Sequence, residues 1–167
     1  MDPAIADLAT RTTIWFALAC FFAAEIAAPW RADRSDLLVR WLWTVACAAL
    51  LAHVACAFAF YHQWSHVAAY RHTAEETAAV VGWNWGGGLY FNYLMCALWL
   101  GDVAWWWSNP GGHRNRSKWL HHALHGFFWF MIFNATVVYG TGPVRWWGLS
   151  GCVAGLVGFV AARRKVS

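Results

Sequence analysis

Charge is what this sequence is short of. Only 12% of its 167 residues are Asp, Glu, Lys or Arg, against about 25% in a soluble domain. A water-facing surface needs more, so an ordinary soluble globule is excluded. Paired cysteines are missing too. Cys20, Cys47, Cys56, Cys96 and Cys152 are odd in number, form no CxxC, and each lies inside an apolar run. Zinc ribbons and disulfide frameworks are thereby excluded, and the thiols read as small buried hydrophobes. The opening "MDPAIADLATR" is acidic before its first basic residue. It lacks the basic start of a cleavable signal, so the first apolar run is expected to stay as a helix. No glycine-rich phosphate loop, GxSxG, HExxH or internal repeat occurs. The net charge of +4 is clustered at segment ends and offers no nucleic-acid patch.

What is present is apolar and aromatic. Hydrophobic residues make up 60% of the chain, with 15 Trp and 11 Phe. That profile predicts an all-α, polytopic integral membrane helix bundle forming one domain over 1–167, with the lipid bilayer as its partner. Five apolar runs approach the roughly 20 residues of a spanning helix: 12–30, 37–61, 89–107, 119–139 and 144–162. No Gly or Pro occurs between Asp36 and Val81, so the second run is expected to continue out of the bilayer as an amphipathic helix to about 81. "GWNWGGG" then turns the chain back.

Basic residues orient the spans. One side holds Arg11, Arg71 and Arg145; the other holds Arg31, Arg34, Arg40, Arg114, Arg116, Lys118, Arg163, Arg164 and Lys165. The richer side is cytoplasmic by the positive-inside rule. This places the N-terminus outside and the C-terminus inside, in a multi-pass protein of a bacterial-type inner membrane. Aromatics mark both edges: Trp30, Trp41, Trp43, Trp105 to Trp107 and Trp119 at the inner one, and Trp83, Trp85, Tyr90, Tyr139, Trp146 and Trp147 at the outer one.

Two histidine clusters stand out. His62 and His66 are four apart, with His72 beyond; His121 and His122 precede His125 by four and three. On a helix such spacings share a face and offer two metal ligands; the alternative is a pair of interfacial histidines at a helix end. The boxes of membrane desaturases and hydroxylases, HxxxH and HxxHH around a di-iron centre, resemble these clusters in spacing alone. The third run crosses between the two, separating them by roughly the 30 Å of the hydrocarbon core, so they share no centre.

Depth counting singles out three layers. Glu25, Asp102, His122 and His125 all lie in the inner third on three runs. Intramembrane carboxylates usually face the bundle interior, and this set could bind a metal, relay protons or pin helices together. Near the midplane His53, Met95, Cys96 and Met131 match in depth. His/Met is a haem ligand pair, and packing is the alternative. In the outer half, Asn92, Asn134 and Thr136 are expected to hydrogen-bond between helices. Gly148, Gly151, Gly155 and Gly158 form a small-residue ladder on the fifth run that fits close helix packing, and the helix is also a candidate surface for a second copy or a membrane-complex partner.

Three functions follow as expectations. The first is a metal- or haem-binding membrane protein with a redox or metal-handling role, using Glu25, Asp102, His62, His66, His121, His122 and His125, or His53 with Met95 or Met131. The second is a proton- or ion-coupled carrier or channel component. The third is a non-catalytic subunit of a larger membrane complex.

Overall fold

The computed structural model describes residues 2–28 and 36–164. Among the described residues the chain is helical throughout, with no strand. Trp30, Arg31, Arg34 and Lys165, used above as run end, edge marker or topology charges, lie outside them.

Helix α1 runs Pro3–Ala27 and begins well before the apolar run. Asp2 caps it by accepting from the Ala4 amide, with Pro3 in the first turn, where a missing N–H costs nothing. Helix α2 spans Asp36–Phe60. Helix α3, His66–Val81, is capped by Ser65 and ends at Gly82 in the left-handed region, φ 76°, where glycine is the natural residue. Helix α4 covers Gly88–Ser108. "NPGG" does more than close the third run: Asn109 caps a short helix α5, Pro110–Arg114. Ser117 then caps α6, Lys118–Phe133, which passes into a π-helical turn, Asn134–Val138. Helix α7 is Pro143–Arg164.

The expected continuation of the second run to 81 is corrected. Helix α2 stops at Phe60, and Gln63 and Trp64 both adopt positive φ, 49° and 58°. The Trp64 amide reaches back to the Phe58 carbonyl, and the Ser65 amide to His62. Absence of Gly and Pro did not preserve the helix because Ser65 starts a new one, and a capping Ser favours an initiation point over a helix interior.

The five long helices run up and down alternately. Near one end the first turns of α1 meet the last of α2, where His53 Nδ1 donates to the Thr10 carbonyl at 2.9 Å and Tyr61 Oη to Asp7 at 3.3 Å. At the other end the start of α2 meets the end of α4: Arg40 bonds the Trp106 carbonyl and lies 4.5 Å over the Trp107 ring, while Trp107 Nε1 donates to Thr44. The centre is aromatic. Phe21 of α1, Trp43 of α2, Trp99 of α4 and Phe128 of α6 are essentially fully buried, with ring centroids 4.8 to 5.7 Å apart. Offset and edge contacts of this kind add about 0.5–1.5 kcal/mol per pair beyond burial.

Helices α1 and α2 are each long and apolar enough to cross a membrane. Most of their residues are not buried inside the bundle, whereas the core helix of a soluble protein would hide its apolar surface. Three of the four ladder glycines of α7 pack closely on this chain's own helices. A Cβ on Gly148 would stand 2.2 Å from Thr136 Oγ1, on Gly151 2.5 Å from the Phe22 ring, and on Gly155 2.4 Å from the Trp129 ring. Those glycines let α7 dock on its own chain, and only Gly158 of the four meets nothing within 4 Å.

Candidate functional site

Two regions carry chemistry, one at each end of the aromatic core. The first, at the end bearing Ala27, Asp36 and Ser108 and called inner after the expected topology, is a buried charge network. Its hub is Arg116, in the short link between α5 and α6. Arg116 Nη1 donates to Asp102 Oδ1, while Nη2 donates to His121 Nδ1 at 2.7 Å and to His125 Nε2 at 3.0 Å. A guanidinium has donors only, so both histidine nitrogens are acceptors. His125 then carries its proton on Nδ1, which donates to Glu25 Oε1 at 2.7 Å. Tryptophans complete both carboxylates: Trp43 Nε1 donates to Asp102 Oδ2 and Trp129 Nε1 to Glu25 Oε2, each at 2.9 Å. His113 lies flat on Trp106, centroids 4.4 Å apart, with Nε2 3.1 Å from Asp102 Oδ1.

The expected layer of Glu25, Asp102, His121 and His125 is thus one connected network, linked through a residue read from the sequence only as a topology charge. Its side chains are well enclosed: Asp102 is 3% exposed and Arg116 7%, Glu25 16% and His125 20%. His122 is exposed and has no hydrogen bond to the network among the described residues, but its ring lies 5.4 Å from that of His121 and it lines the adjoining cavity. Among the described residues no group of three or more His, Cys, Asp or Glu is set to hold a metal ion. The reason is physical: the central position is filled by the Arg116 cation, which occupies the histidine lone pairs a metal would need. Beside the network lies an open cavity of about 600 Å³ lined by Glu25, Arg116, Lys118, His121 and His125.

The outer region is a cavity of about 590 Å³ walled by α1, α2, α4 and α6, with α3 at its mouth. Its body is apolar and aromatic, including Trp15, Leu18, Phe21, Leu50, Met95 and Met131. His53, Asn92 and Thr136 also line it, so the sequence-matched set His53, Met95 and Met131 does meet around one space. Trp99 lies on its wall and is 1% exposed, and Trp99 Nε1 has no partner among the described residues. A buried donor without an acceptor costs roughly 1–3 kcal/mol and calls for an explanation.

Several expectations here are corrected. His62 and His66 do not share a helix face, because His62 sits in the α2–α3 turn. His62 packs on His72 instead, centroids 5.4 Å apart, while His66 Nδ1 pairs with Tyr93 Oη at 3.0 Å. Asn134 and Thr136 bond no other helix: each donates to a carbonyl four residues back, Phe130 and Ile132, at 2.7 Å. That local bonding competes with the regular helix ladder and coincides with the π-helical turn. Asn92 is exposed toward the cavity.

Sequence reasoning missed Arg116, His113, Trp43, Trp129 and Trp99. A signal existed for the first: Arg116 sits in a short link that follows α4 closely enough to return a cation beside Asp102. The tryptophans carried no polar signal, since their role is set by one N–H each. No family model, no curated protein and no solved structure matches this chain.

Proposed function

We propose that this chain is a five-span bundle of a cell membrane, N-terminus outside, that admits a small and mostly apolar molecule to the outer cavity and couples its presence to the inner charge network, as a component of a proton- or ion-coupled carrier. The exposed apolar surface of α1 and α2 supports the membrane setting. Helices α4, α6 and α7 join them in the same alternating bundle and are rich in Trp and Tyr, rings that suit the membrane–water interface.

The observation that carries the coupling is the shared aromatic layer. Phe21 and Trp99 line the cavity. Trp43 packs on both, stacks 5.1 Å from His125, and donates to Asp102. One layer of rings therefore separates the two regions, and any movement of Trp99 toward a ligand acts on the network through Trp43. In the network two carboxylates face one guanidinium, so the Glu25–His125 pair carries the surplus negative charge. The lone pair of His125 Nε2 can take the Arg116 N–H or a proton but not both, so a proton there competes with one of the contacts that hold the hub.

The test is linkage. Titration calorimetry of the detergent-solubilised protein with the neutral probe N-phenyl-naphthylamine, run in two buffers of different ionisation enthalpy, reads protons exchanged on binding. A buffer-dependent enthalpy that disappears in Glu25→Gln is expected. Saturable binding with the same enthalpy in both buffers would remove the coupling.

A second reading has one observation in its favour. His53 donates from Nδ1 to the Thr10 carbonyl, which leaves Nε2 as a lone-pair donor, the usual state of a metal-ligating histidine, in a cavity that Met95 and Met131 also line. That is a haem-binding reading. An absorption spectrum of the purified membrane protein decides it: a haem band lost in His53→Ala establishes it, and a colourless preparation that stays so after haem addition removes it.

A further inference from the structure

The outer cavity is chemically polarised. Its depth is apolar, and its mouth is basic. Arg11, His62 and His72 all line it, and no Asp or Glu does. Arg11 spends Nε on Asp7, 2.9 Å away, which leaves both terminal amino groups without a partner among the described residues. Asp7 in turn also accepts from Tyr61, so its charge is divided between two donors. His62 packs on Phe58 of α2 and His72 of α3, and Arg11 from α1, Tyr61 beyond the end of α2 and Tyr93 from α4 line the same cavity. Guanidinium and imidazole at the rim of an apolar well form a two-part recognition surface: charge-assisted donors for an anionic head above a wall that excludes water.

Resting on the reading of this cavity as a binding site, we propose that its occupant is an amphipathic acid: an apolar chain or ring body held among Trp15, Leu18, Leu50 and Met95, with an anionic head held at Arg11, His62 and His72. A free carboxylic acid and an anionic lipid present the same chemistry. Cationic amphiphiles are disfavoured because the rim offers no uncommitted carboxylate.

The test uses the full chain in neutral detergent and compares ω-bromoundecanoate with ω-bromoundecanol, which differ only in the head. Bromine quenches tryptophan on close approach, and Trp15 and Trp99 report from inside the cavity. Saturable quenching by the acid, about tenfold tighter than by the alcohol, is expected. It should weaken by about that factor in Arg11→Gln, and less in the His62→Gln/His72→Gln double variant, with the alcohol unaffected by either. Arg11 is largely exposed, so its replacement leaves the bundle folded. Equal saturable quenching by both compounds overturns the anionic head and leaves the cavity reading standing. Linear, unsaturable quenching by both overturns the cavity reading with it. Added phosphatidylglycerol assigns the source: displacement of the acid means the head belongs to a bilayer lipid, and no displacement means it belongs to a free acid.

Discussion

The two ends of this bundle use histidine in opposite ways. At the inner end His113, His121 and His125 are held by one arginine and two carboxylates. At the outer end His62 and His72 pack at a tilt at the mouth of a cavity that no carboxylate lines. A cavity of similar volume lies at each end, but the inner one borders paired charges, whereas the outer one borders the orphan Trp99 N–H and Arg11, whose terminal amino groups have no partner among the described residues. Spacing in the sequence made the two clusters look alike. What separates them is the counter-charge, brought to one cluster by a link between helices and withheld from the other.

Removing that counter-charge should have the largest effect. Arg116→Ala strands Asp102 and leaves two buried histidine acceptors unfilled. Breaking a buried pair from one side costs about 3–5 kcal/mol, so thermal unfolding in detergent should shift sharply downward. Arg116→Met combined with Asp102→Leu should recover much of the loss, since the desolvated charges go together. A double-mutant cycle measures the coupling. If Arg116→Ala unfolds no earlier than the outer variant Arg11→Gln, the inner end is not the tightly held one.

The α7 contact should come next. Gly148→Val drives a methyl into Thr136 at the π-helical turn, and overpacking of this kind costs about 1–3 kcal/mol. Gly158→Val, with nothing within 4 Å, should leave stability unchanged. Equal losses at both positions would show that Gly158 also faces a neighbour, and cross-linking or light scattering would then report whether it is a second copy.

Much of the fold was legible, for reasons that name its limits. The long helices follow from the apolar runs, of which α1 and α2 are long and apolar enough to cross a membrane, and α1, α3, α5 and α6 begin where Asp2, Ser65, Asn109 and Ser117 supply a capping oxygen. The break after Phe60 was readable from Ser65 and was obscured by giving more weight to the lack of Gly and Pro. Depth counting brought Glu25, Asp102 and His125 to one level because a helix rises by a fixed amount per residue. It could not supply Arg116, since a loop residue has no fixed depth. Nor could it turn the glycines of α7 inward: a small-residue face looks the same whether the partner helix belongs to this chain or another.

A smaller effect separates packing from binding at the cavity wall. His53→Ala loses one hydrogen bond to the Thr10 carbonyl, about 1 kcal/mol, and joins α1 to α2 less firmly at the outer end. Binding of the neutral probe should be altered more than stability is, because His53 lines the cavity. A change in unfolding temperature alone, with binding untouched, would make His53 a purely structural strut.

The smallest effect is one of pH, and it reports on the outer end alone. Burial, and then the neighbouring His72, hold His62 below its ordinary value. The fold therefore favours neutral His62. Above the ordinary histidine value of roughly 6.5 both folded and unfolded chains carry it neutral, and it imposes no penalty. As pH falls from there through the lowered folded value, the unfolded chain binds the proton first, and stability declines. His62→Gln should flatten this part of the curve of unfolding temperature against pH. The change should be slight, because His62 is only partly enclosed and water screens its charge. His72→Gln should act in the same direction by removing the second of the two causes. An acid-side slope unaltered in both variants would mean that the outer histidines do not sense one another, and the contrast between the two ends would then rest on the inner network alone.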